Sequence, residues 1–145
     1  MKTFVVVALF MIAITTPEWL VDFDAAKHDA KQNNKWILLN FSGSDWCAPC
    51  IKLKKDVFDK PEFGEYAAQH LVLVRADFPR HKKNKLSDKQ TAHNEGLAEK
   101  YNPQGKFPLT LLLDAEGTVI KTWDGFNGDS PDEFIKQLDK NIHGN

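Results

Sequence analysis

Three short apolar runs, residues 36–41 (WILLNF), 71–76 (LVLVRA) and 109–114 (LTLLLD), constrain this chain more than any other feature. Each has the length of a strand and is too short for a core helix. The stretches between them carry helical spacing instead. Residues 18–33 place Leu20, Phe23, Ala26 and Ala30 near the helical period, and residues 47–58 do the same with Ile51, Leu53, Val57 and Phe58. Pro61 opens a further helix over 61–69. Ser87 and Gln90 have capping-box spacing ahead of a helix that runs to about Tyr101. Ala115, Glu116 and Gly117 form a tight turn into a fourth strand over 118–123, so the last two strands pair as an antiparallel hairpin. Ser130 and Glu133, with Pro131 at the first helical position, start a closing helix that turns Phe134, Ile135, Leu138 and Ile142 to the core. Strands joined through helices pair in parallel. The pattern predicts an α/β domain, a mixed central β-sheet of about four strands flanked by helices on both faces.

A length of 145 residues suits one domain, and a hydrophobic fraction of 42% is enough for a single core. The net charge of −1 gives no ground for a nucleic-acid partner. There is no repeat and no low-complexity tract. The first residues read as an export signal over 1–16, leaving a domain over 17–145. Lys2 precedes an unbroken apolar run over 4–14, which Thr15, Thr16 and Pro17 end. That run is short for a membrane span, and an uncleaved N-terminal anchor is the competing reading. With no cysteine near its end, a lipid-modified N-terminal cysteine is excluded.

Both cysteines lie in Trp46-Cys47-Ala48-Pro49-Cys50, directly after the first apolar run and before a helical stretch. Two intervening residues put both thiols on one helical turn. One sulfur can then attack a target disulfide while the other releases the mixed disulfide. Export would place the pair in an oxidising compartment. A purely structural bridge across so short a loop would constrain the unfolded chain little. Cys47 falls at a helix start, where unpaired N–H groups and the macrodipole favour a negative charge. First cysteines in this setting have pKa values from ~3.5 to ~7.5. Cys47 is therefore expected to be the partly exposed attacking thiolate, and Cys50, one turn further in, the more buried resolving thiol. Ala48 and Pro49 offer the thiolate no side-chain donor, which favours a reducing or intermediate couple.

The sequence WCAPC after a buried strand, with Phe107-Pro108-Leu109-Thr110 entering a later one, resembles the thioredoxin superfamily over residues 23–142. Residues 41–47 (FSGSDWC) and 57–63 (VFDKPEF) are similar to exported single-domain members, among them the C-terminal domain of the interchange protein DsbD and secreted disulfide-isomerase-like proteins. The resemblance implies a thioredoxin fold and dithiol–disulfide exchange with protein substrates, carried by Cys47 and Cys50. It implies a cis Pro108 and a substrate strand paired with the backbone of Phe107, with Trp46 shielding the sulfurs and lining the contact surface. It implies no organic cofactor and no metal, a monomer, a periplasmic location and a membrane thiol transporter as electron donor.

Two departures stand out. Where thioredoxins carry a buried carboxylate, this chain has Asn40, and Leu73 or a neighbour replaces the lysine that partners that acid in many members. Proton transfer at Cys50 would then use water, Asp45 or Asp77. The loop over 80–89, with Arg80, His81, Lys82, Lys83, Lys85 and Lys89, is longer than the fold needs and reads as a solvated face rather than a docking site. His81 and His93 have no metal-ligand spacing with the cysteines. The alternatives from other classes are a pair of thiolates holding Cu(I), and a redox-silent interaction domain.

Overall fold

The structure is a computed structural model that describes residues 16–144, so the apolar run over 4–14 lies outside the described residues. Among the described residues five strands and five α-helices follow in the order β1 (Trp19–Leu20), α1 (Phe23–Asn33), β2 (Trp36–Ser42), α2 (Ala48–Leu53), α3 (Pro61–His70), β3 (Leu71–Asp77), α4 (Asp88–Tyr101), β4 (Leu109–Leu113), β5 (Val119–Asp124) and α5 (Pro131–His143). The sheet order is β1-β3-β2-β4-β5. β3 lies parallel to both β1 and β2, while β4 runs antiparallel to β2 and β5. The mixed sheet expected from the sequence is present, with one strand more.

The extra strand corrects the start of the first helix. Trp19 and Leu20 pair with Leu73 and Val74 of β3 rather than continuing the helical spacing. Asp22 then takes the N-cap in an extended conformation, its carboxylate accepting the N–H groups of Asp24 and Ala25. Trp19 packs its ring 4.9 Å from that of Phe58, a contact that local propensity cannot anticipate.

Alternation along the strands gives each face of the sheet its own core. Ile37, Leu39 and Phe41 of β2 join Val72, Val74, Leu109 and Leu111 beneath α1 and α4. Leu38 joins Leu71, Leu73 and Leu112 on the other face, covered by Leu53 and Val57, Phe63, Phe134 and Leu138. Because β2 to β4 are buried on both faces, they read as continuous apolar runs rather than as alternating ones. The helix after the cysteine motif is not uniform. Lys54–Phe58 winds as a π-turn in which the Asp59 N–H reaches the Lys54 carbonyl at 2.8 Å. Ser130 and Glu133 form the full reciprocal cap, whereas Gln90 turns its side chain to Val21 and Asn94 and leaves Ser87 to cap α4 alone.

Phe63 is fully buried among Phe58 and Phe134, and truncation should open a cavity with little freedom to collapse. Phe63→Ala should cost about 3–5 kcal/mol in denaturant unfolding. Lys55→Ala, on the exposed side of the same region, should stay within about 0.5 kcal/mol.

Candidate active site

Strand β2 ends at Ser42, and Gly43 turns the chain so that its carbonyl accepts the N–H groups of Trp46 and Cys47. A side chain at Gly43 would put a Cβ 2.3 Å from the Trp46 indole, so only glycine admits the ring there. Cys47 caps α2 in an extended conformation, and its sulfur accepts the Cys50 N–H at 3.3 Å. Pro49 lies in the first turn, where its missing N–H has no intrahelical partner to lose. The two sulfurs are joined as a disulfide, with the Cα atoms 5.2 Å apart. Both cysteines are 4% exposed, so the expected contrast between an open Cys47 and a buried Cys50 is absent in this oxidised form. The Cys47 sulfur folds back over the first helical turn onto Cys50, and Ala48 and Pro49 face outward in its place.

The Phe107–Pro108 peptide bond is cis, and Pro108 is buried with its carbonyl accepting the Gly125 N–H. Phe107 meets two other rings edge-on, Trp46 at 5.4 Å and Phe78 at 5.4 Å. The Trp46 indole N–H donates to the Phe78 carbonyl at 2.7 Å. Trp46, Phe78 and Phe107 thus tie together the motif, the loop after β3 and the entry to β4. The structure brings Trp46, Cys47, Cys50 and Phe107 to one end of the sheet, with Pro108 adjoining. Phe78, just past the end of β3, is a member for which the sequence analysis named no role.

The same end carries a polar clasp. The Asp45 carboxylate accepts N–H groups from Arg80 (2.9 Å) and His81 (3.0 Å) and the side-chain amide of Asn84 (2.9 Å). These donors, the Arg80 N–H foremost, lower its pKa to about 2. The Arg80 guanidinium lies 3.6 Å from the centroid of the Trp46 ring. Asp77 accepts the N–H and hydroxyl of Ser44 and the N–H of Phe78. Both carboxylates considered as proton relays therefore hold loops. No local signal marks this clasp, because the groups that Asp45 accepts from lie 35, 36 and 39 residues further along the chain.

Asn40 is buried on the face of β2 that α2 covers, and its side-chain N–H donates to the Thr110 hydroxyl at 3.0 Å. Its register partner in β3 is Arg75, not Leu73. The Arg75 guanidinium stacks 4.3 Å from the Trp19 ring, and burial pulls its pKa down against the opposing pull of Asp77 and Asp59. A neutral amide at the position where the resemblance places an acid thus stands beside a cation of the neighbouring strand. His93 accepts the Phe23 N–H and joins α4 to α1. Among the described residues, no three His, Cys, Asp or Glu side chains gather as a metal-ligand set.

Residues 18–115 match a family model described as Thioredoxin-like. The disulfide bond reductase DsbH of Chlamydia pneumoniae is 39% identical over 109 residues, covering 75% of this chain and 63% of that protein. The thioredoxin-related protein DsbJ of the same organism is 29% identical over 112 residues, covering 77% of this chain and 31% of that protein. The chain therefore spans less than two thirds of either curated relative. A solved structure described as DsbH oxidoreductase superposes with a TM-score of 0.81 at 29% identity, covering 97% of this chain and 94% of that one. The oxidised C-terminal domain of Neisseria meningitidis DsbD shares the fold at a TM-score of 0.56 and 20% identity, covering 81% of this chain and 90% of that one. The fold is the thioredoxin fold.

The Asp45 clasp has a defined pH window. A carboxylate whose pKa is depressed on folding gives its stabilisation above the unfolded value of about 3.9 and loses it as the pH falls through the folded value. Here the clasp should be complete above about pH 4 and released near a pH of about 2. Hydrogen exchange at the Arg80 and His81 amides should show several-fold lower protection in Asp45→Ala at neutral pH. The difference from the parent protein should vanish at the acid end.

Proposed function

The chain belongs to the thioredoxin-like family, and on that footing we propose that it is a thiol-disulfide oxidoreductase that exchanges the Cys47–Cys50 pair with disulfides in protein substrates. One observation carries this reading: the chain's two cysteines are bonded to each other at the N-cap and first turn of α2, where the central strand delivers them. A bridge closing so short a loop adds little to stability, while the helix start favours a thiolate on Cys47.

In the reducing direction the dithiol form acts. The Cys47 thiolate attacks one sulfur of the substrate disulfide, forming a mixed disulfide and expelling the other substrate sulfur as a thiolate, which takes a proton. The Cys50 sulfur loses its proton and attacks the Cys47 sulfur. The Cys47–Cys50 bond forms, and the second substrate sulfur leaves. Two electrons pass to the substrate, whose two sulfurs leave as thiolates and take their protons from water, and the disulfide seen here is the end state. With Asp45 and Asp77 engaged and Asn40 neutral, the Cys50 proton passes to water. Phe107 with Pro108 positions the substrate backbone, and Trp46 lines the contact surface beside Cys47.

The direction is that of a reductase or isomerase. The absence of a side-chain donor at Ala48 and Pro49 supports this, as does the DsbH relative, which is named a disulfide bond reductase. The apolar run over 4–14 supports export to the periplasm, with residues 17–145 as the working domain and a monomer as the working unit. A reductase there needs a two-electron thiol donor, for which a membrane thiol transporter is the fitting class.

Insulin reduction by dithiothreitol tests the reading. The parent protein should accelerate it, and Cys47→Ser should fall to the uncatalysed rate. Cys50→Ser should accumulate a mixed disulfide through Cys47, visible by mass. Turnover that survives Cys47→Ser would overturn the assignment.

A further inference from the structure

The loop after β3 is anchored at both levels of its structure, backbone and side chain. Asp45 holds the backbone N–H groups of Arg80 and His81 and the Asn84 side chain. Trp46 holds the Phe78 carbonyl, and Arg80 stacks on Trp46. Asp45 and Trp46 are the two residues that precede Cys47, so the loop is stapled to the shoulder of the disulfide itself. A merely solvated basic segment would need no such anchorage.

The staples fix a set of charges. Arg80, Lys82 and Lys83 are exposed, and none of them forms an ion pair among the described residues. Lys85 reaches Asp88 only at 3.9 Å. Asp45 is engaged by the loop backbone and Asp77, which lines the groove described next, by Ser44 and Phe78, while Asp88 stands exposed beyond the cations at the far end of the loop. The loop also walls an open groove of about 360 Å³ against α4, lined by Phe78 and Leu86 together with Arg80, His81, Lys82 and Lys85; Glu95 is the acid on its α4 side. The whole chain carries a net charge of −1, so this positive field is local and not a property of the molecule.

We propose that this loop is a substrate-docking element that selects disulfides flanked by acidic residues, the acidic segment lying across Arg80, Lys82 and Lys83 beside Cys47. The inference rests on thiol-disulfide exchange at Cys47 and names its substrate class. Phe78 and Leu86 give the groove an apolar strip for a neighbouring side chain. Arg80 is the specificity-determining residue nearest the sulfur pair, because its stacking on Trp46 places a cation directly over the contact surface.

Three synthetic peptides with the same internal disulfide and with Glu, Gln or Lys flanks test this. Their rates of oxidising the fully reduced protein are read by stopped flow at about 50 mM and about 500 mM salt, a range over which the screening length shortens from beyond 10 Å to a few ångströms. The Glu peptide should react about tenfold faster than the Gln peptide at low salt, within the range of electrostatic steering, and the advantage should collapse at high salt. In K82E/K83E the order of the Glu and Lys peptides should reverse. The same charge change at Lys136 and Lys140, on α5, should keep the parent preference. Equal rates for all three peptides, or equal loss of preference in both double variants, overturns the inference alone. No reaction with the Gln peptide overturns the exchange reading, and this inference with it.

Discussion

Strand β2 is paired along its length with β3 on one side and β4 on the other, and it is buried on both faces from Ile37 to Ser42. It has no freedom to shift register, because a slip by one residue would exchange the Leu38 face for the Leu39 face and send Asn40 into the wrong core. Every part of the site is placed relative to its end. Gly43 turns the chain, Asp45 and Trp46 fasten the loop after β3, and Cys47 begins α2. The entry to β4 meets the same point through Phe107. Two strands neighbouring β2 therefore deliver their loops to one disulfide.

Much of this was legible in the sequence because the features that set it are local. Strand-length apolar runs, N-cap residues and a Cys-x-x-Cys pair after a strand each act within a few residues. The parts that escaped depend on contacts far apart in the chain. Leu20 follows the helical period of residues 18–33, and only the pairing of Trp19 and Leu20 with Leu73 and Val74 makes the two a strand. Asp45 reads as a candidate proton relay until the N–H groups of Arg80 and His81 are seen on its carboxylate. Arg75 sits inside an apolar run, and nothing local says that it stands beside Asn40. The burial of Cys47 has a different cause: the oxidised pair folds its sulfurs over the helix, whereas the expected exposure belongs to a free thiolate.

The neighbourhood of the cysteines also differs in kind from the acid-and-lysine arrangement that the fold family suggested. Asn40 is satisfied by Thr110, and Arg75 is held by stacking on Trp19, so neither position carries a carboxylate base. In the proposed exchange protons there would move through water, and the N–H groups at the start of α2 would favour the thiolate. A consequence is that the reactivity of the pair follows the state of its own sulfurs.

The central claim is that Cys47, not Cys50, is the ionised and reachable sulfur once the disulfide is reduced. Alkylation of the reduced protein across a pH series, with the modified site identified by mass, measures this directly. The account predicts labelling at Cys47 first, with an apparent pKa below the ordinary cysteine value of about 8.5. Labelling at Cys50 first, or at neither sulfur near neutral pH, would contradict it.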